Sequence, residues 1–205
     1  FSTNIYLLPE KPMRPRFWDA RVGYFATEFQ DYGTGAHGGV ARGYIQRYRL
    51  EKKDPKAALS EPVKPIVFFV GRGVPEVWRP YIKQAVEDWQ GMFAQAGFRG
   101  AIVARDAPSE SEDPSWDPDD VRFNVIRWGP SGRRNALGAA VVDPRSGEVI
   151  SSHTLLWHDV LKLLEIWYFT QVSPLDPRAQ KLPLPTDLMG ELLRYVLRHE
   201  IGHAL

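Results

Sequence analysis

Residues 192–205 read Leu-Leu-Arg-Tyr-Val-Leu-Arg-His-Glu-Ile-Gly-His-Ala-Leu, an apolar run at helical spacing that carries His-Glu-x-x-His. On a helix, residues four apart share a face one turn above each other. Leu192, Leu193, Val196 and Leu197 then form one stripe that needs a layer to pack on. His199 and His203 point two imidazoles toward one place, with Glu200 beside them. Gly202 costs about 1 kcal/mol against Ala in a helix interior. A helix that keeps it needs close backbone approach, or space beside a metal.

Two nitrogen donors, an adjacent carboxylate and an open coordination position make the arrangement of a zinc peptidase. The candidate metal ligands are His199 and His203, the candidate cofactor is Zn2+, and Glu200 is the candidate general base. The bland alternative is a chance match on a buried helix face. A catalytic zinc takes three protein ligands. His153 and His158 are the other histidines in the second half of the chain; either reaches the metal in principle, although a lone histidine is more often packed or exposed.

Composition sets outer bounds. With 205 residues, 43% hydrophobic and 25% charged, the chain can bury one real core. A net charge of +1 argues against a nucleic-acid surface built on bulk charge. The absence of cysteine excludes disulfides and thiolate metal sites. No apolar run reaches the length of a membrane span, and no signal peptide is visible. The chain opens on Phe1 and closes inside a helical pattern, as a piece of a longer polypeptide would.

Residues 1–20 are Pro-rich and basic and read as an extended connection. Residues 21–60 read as a strand pair and linker, with strands over 21–29 and 43–50. Between them Gly33-Thr-Gly-Ala-His-Gly formally matches Gly-x-Gly-x-x-Gly, but a strand follows where a dinucleotide site needs a helix, so it reads as a loop with His37 exposed. Residues 61–205 read as one subdomain. Residues 65–70 form a strand buried on both faces. A helix spans 75–96, with Trp78, Ile82, Val86, Trp89 and Phe93 on one side and Gly97 as its cap. Strands follow at 101–104 and 121–128. The acidic, Pro-rich stretch 108–120 between them lacks the order of a calcium loop and reads as solvated. Asp143-Pro-Arg-Ser-Gly147 is a turn joining strands 138–142 and 148–157. A helix over 158–171, a Pro-rich loop, and a last helix capped by Thr186 or Asp187 complete an α/β (α+β) arrangement with a mixed sheet.

The motif and its surroundings resemble the bacterial zinc-dependent metalloproteases related to the metzincins. His199-Glu-Ile-Gly-His-Ala-Leu205 looks like the opening of His-Glu-x-x-His-x-x-Gly-x-x-His. Lys64–Val70, Trp78–Trp89, Ala101–Ala107, Val121–Trp128, Asp143–Glu148 and Leu188–Leu193 continue the likeness from about residue 20 onward. It implies a metzincin-like N-terminal subdomain with a twisted sheet, a backing helix and an active-site helix. It carries zinc ligation to His199 and His203 and the general base to Glu200. It further implies an exported protein of a Gram-negative bacterium, with further domains on both sides. The motif's third His, its turning Gly and a Met-containing turn would fall beyond Leu205, so this piece alone is expected to bind zinc weakly and to be inactive.

The implied reaction is peptide-bond hydrolysis of a peptide or protein substrate, Glu200 taking a proton from metal-activated water. Strand 148–157 is expected at the cleft, where an extended substrate could pair with it. The alternative is a non-catalytic peptide-binding or scaffold domain that keeps the fold. A serine hydrolase is disfavoured, since Gly129-Pro-Ser-Gly132 has the wrong spacing for a nucleophile elbow.

Overall fold

A computed structural model describes residues 3–35 and 37–205. Phe1 and Ser2 of the expected N-terminal connection, and Ala36 of the glycine loop, lie outside the described residues. The centre is a five-stranded sheet in the order β4-β3-β5-β7-β6. Its strands are β3 (Ile66–Val70), β4 (Ile102–Asp106), β5 (Asn124–Gly129), β6 (Ala136–Asp143) and β7 (Glu148–Trp157). Neighbours among β4, β3, β5 and β7 run parallel, and β6 alone is antiparallel to its partner β7.

Alternation along β3 explains its central place. Phe68 and Val70 are fully buried under the helices, while Phe69 turns to the other face against Phe123 and Trp116. The acidic 108–120 stretch is largely exposed, as expected, but it anchors itself through buried Trp116 on this sheet face. Its carboxylates serve local turns: Asp113, Asp117 and Asp120 accept the amides of Ser115, Asp119 and Arg122.

Four helices pack on this sheet: α1 (Arg79–Glu87), α2 (Gln90–Gln95), α3 (Val160–Val172) and α4 (Thr186–Gly202). The single helix expected over 75–96 is divided. At Trp89 the amide bonds to the carbonyl of Val86, one residue short of the α-helical partner, and α2 then ends at Gly97 with φ +89°. The residues at the division, Asp88 and Trp89, are those that grip α4. The last helix starts at Thr186 without a side-chain cap: Thr186 and Asp187 are already inside it, and Pro185 occupies the cap position. Asp187 still favours that end by facing the positive pole of the helix dipole. Among the described residues no helix is long and apolar enough to cross a membrane.

The strands of the N-terminal part are shifted from their expected places, to β1 (Ala26–Asp31) and β2 (Val40–Ile45). They pair antiparallel as a separate two-stranded sheet. The glycine loop joins them, and His37 in it is exposed. The chain leaving β2 is bound to the main sheet, because the Arg47 amide bonds to Gly147 and the Val149 amide bonds to Arg47. Tyr48 is half-buried and donates its hydroxyl to Asn124 at 2.9 Å, while Arg49 pairs with Glu148 at 2.6 Å. Burial pushes the Tyr48 phenol far above its ordinary pKa, so it stays a neutral donor.

Candidate metal centre

The sequence from Leu188 to Ile201 buries Leu188, Leu193, Leu197 and Ile201 on one side of α4. That leaves His199 and His203 exposed on the other side, one turn apart, with Glu200 half-buried between the two directions. The Nε2 atoms of the two histidines stand 3.0 Å apart and the rings meet edge to face. Nitrogens each ~2.05 Å from a tetrahedral zinc stand about 3.3 Å apart, so the pair fits such an ion with a small rotation of either ring. The 3.0 Å contact is within hydrogen-bonding distance, and which nitrogen donates depends on the ring tautomers. Ligation through both Nε2 lone pairs requires the tautomer that carries the proton on Nδ1 in each ring. Among the described residues, no third His, Cys, Asp or Glu joins the pair.

Glu200 points toward the sheet edge. Its Oε2 accepts the amide of Gly138 in β6 at 3.1 Å. Trp157 donates its amide to Asn135, and Gly138 lies opposite Thr154. Antiparallel alternation therefore turns the backbone of Ala136, Gly138 and Ala140 away from β7, toward the open edge. The expectation that strand 148–157 receives a substrate does not hold. This strand, β7, is held by β5 on one side and β6 on the other, and its first residues bridge to Arg47. Of the two edge strands, β4 and β6, the one beside the histidine pair is β6.

The remaining histidines lie apart from the pair. Gly138 and its partner Thr154 face α4, so His153, the residue before Thr154 on β7, takes the opposite sheet face. There burial, and secondarily the charge of Arg127, hold its imidazole below the ordinary value and therefore neutral. His158 follows β7 and packs edge-on against Trp128.

Three neighbours of the site escaped the sequence reading. Gly138 lets α4 approach, since a Cβ there would stand 2.7 Å from the Glu200 carbonyl oxygen. Trp89 supports the last turn from behind, donating Nε1–H to the Arg198 carbonyl at 3.2 Å. Its ring lies where a Cβ on Gly202 would meet it at 2.7 Å. That aromatic contact is the close approach for which Gly202 is kept. Phe25 lies across the face of the His203 ring, with centroids 5.1 Å apart and planes 29° apart. The glycine anomaly in the helix was the only signal of these contacts in the sequence. Nothing local marks Phe25 or Gly138. Asp88 adds a charged clamp on α4: hydrogen bonds from Arg194 lower its pKa, and Arg198 adds a weaker attraction at 3.9 Å.

Comparison with known families gives one match, a model described as a domain of unknown function (DUF5117), over residues 1–53. It takes in the β1–β2 pair and Phe25 and ends in the connection before β3. No curated protein and no solved structure matches the chain.

Proposed function

We propose that this chain carries the metal-binding part of a zinc-dependent peptidase, with His199 and His203 as ligands and Glu200 as general base. The carrying observation is the convergence of the two Nε2 atoms, 3.0 Å apart, beside a carboxylate held against an open strand edge. The mixed sheet with helices packed on it, and the motif helix lying against its edge strand β6, support this reading. The third ligand is assigned to chain beyond Leu205, where the resemblance puts it.

Zinc, when bound, supplies a Lewis acid that brings the pKa of water toward ~7 and polarises a carbonyl. Glu200 accepts a proton from the attacking water and delivers it to the leaving amine. The Gly138 amide holds one carboxylate oxygen, Oε2, and leaves Oε1 to take the proton. The outward backbone of β6 at Ala136 and Ala140, on either side of the Gly138 amide held by Glu200, offers an extended peptide partners to join.

The test uses the full-length protein on an unfolded protein substrate, with and without a zinc chelator, beside Glu200→Ala. We expect chelator-sensitive cleavage that falls at least 10³-fold in the variant (roughly the general-base contribution), while one zinc per chain is retained. Normal cleavage by Glu200→Ala overturns the mechanism. Absence of both zinc and cleavage in the parent overturns the peptidase reading and favours a peptide-binding domain.

A further inference from the structure

The β1–β2 pair is fixed to the molecule by a chain of backbone bonds that ends at the candidate metal centre. The Arg47 amide donates to Gly147 and the Val149 amide to Arg47, which ties the exit of β2 to the turn before β7. Ala26 pairs with Ile45, and the Gln46 amide donates to the Phe25 carbonyl at 2.8 Å. One residue earlier, the Trp18 indole donates to the Tyr24 carbonyl at 3.0 Å. Phe25 is therefore held by its backbone from both sides. Its side chain, 54% exposed, adds little to any core. What it does touch is the His203 ring, face to face in offset stacking geometry.

That contact acts on the ring's orientation. A ligating imidazole normally has its plane fixed by a hydrogen bond from its other nitrogen, and such supporting contacts typically tune metal affinity about 10- to 100-fold. A flat aromatic surface against one face of His203 restricts the same rotation by sterics and dispersion. It leaves Nε2 at the ring edge, directed at the Nε2 of His199.

We propose that Phe25 is a positioning residue of the metal centre, holding the His203 imidazole plane, so that the N-terminal strand pair is a working part of the site. The inference rests on the zinc reading of His199 and His203. It makes residues 22–25, which line a cavity together with Gly202, His203 and Leu205, one wall of the site.

The experiment compares the full-length parent with Phe25→Ala, Phe25→Leu and Phe25→Tyr. Zinc affinity is measured by competition with a chromophoric chelator, and the His203 ring protons are followed by NMR in the metal-free proteins. We expect Phe25→Ala to bind zinc about tenfold more weakly, with the ring-current shift of the His203 protons lost. Phe25→Tyr restores both. Phe25→Leu keeps apolar bulk but loses the ring-current shift, and part of the affinity with it. The unfolding midpoint of the metal-free variants stays at the parent value, as the exposure of Phe25 requires. Zinc binding by Phe25→Ala equal to that of the parent, with the parent binding normally, overturns this inference alone. A parent that binds no zinc while its His203 protons carry the Phe25 shift overturns the zinc reading, and the positioning role falls with it.

Discussion

A methyl group added to Gly138 would stand 2.7 Å from the carbonyl oxygen of Glu200, and backbone cannot step aside as a flexible side chain can. Gly138→Ala should therefore push α4 off the sheet edge and cost about 1–3 kcal/mol, the range of overpacking, read by denaturant unfolding. Gly202 poses the opposite sum. Helix propensity alone makes Gly202→Ala favourable by at most about 1 kcal/mol at the last residue of α4, but the new Cβ would meet the rigid Trp89 ring at 2.7 Å. We expect net destabilisation of about 1 kcal/mol or more, and the sign should reverse in a Trp89→Leu background, where the ring is gone. A double-mutant cycle on unfolding free energies checks this. At this scale the sequence was legible where chemistry is local. His199, Glu200 and His203 declare themselves by spacing, and Gly202 by being misplaced. Phe25 and Gly138 lie far from the motif in sequence, and their roles exist only once β1 and β6 have been placed.

The elements were legible in proportion to how far their own residues decide them. The apolar run of β3 and the Asp143–Gly147 turn gave strand and hairpin nearly in register. The helix over 75–96 did not, because its continuous apolar stripe says nothing of the tightened turn at Trp89, where the side chains of Asp88 and Trp89 are given over to α4. Strand order was equally hidden: a run like β7 reads the same at an edge or inside, and only pairing with both β5 and β6 decides it. The clamp between α1 and α4 makes a pH prediction. Hydrogen bonds from Arg194 hold the Asp88 carboxyl below its ordinary value. A carboxyl with a depressed folded pKa contributes stability that is complete above the unfolded value of about 4 and is lost as pH falls through the folded value. Asp88→Asn should thus lower the unfolding midpoint at pH 7 by the equivalent of about 1 kcal/mol or less, given the exposure of Arg194. The gap to the parent should close below about pH 4, as a midpoint-against-pH series would show.

At the scale of the molecule, the boundary at residue 53 where the family match ends is not a boundary of packing. Tyr48 shares Asn124 with the Ser152 amide inside the main sheet, and Arg49 pairs with buried Glu148. Residues 54–205 expressed without the N-terminal part should fail to unfold cooperatively and should lose amide protection in β5 and β7. A sharp transition equal to that of the whole chain would refute this. The order of elements along the chain adds one more consequence. All five strands of the main sheet are made before α4, and α4 supplies Leu188, Leu193, Leu197 and Ile201 to their common core. During synthesis the sheet face waits uncovered until α4 follows, and the two imidazoles and Glu200 arrive with that helix. A nascent chain stalled anywhere before α4 holds no zinc pair and no base, so the hydrolytic chemistry proposed here is silent until the fold that contains it has been spelled out.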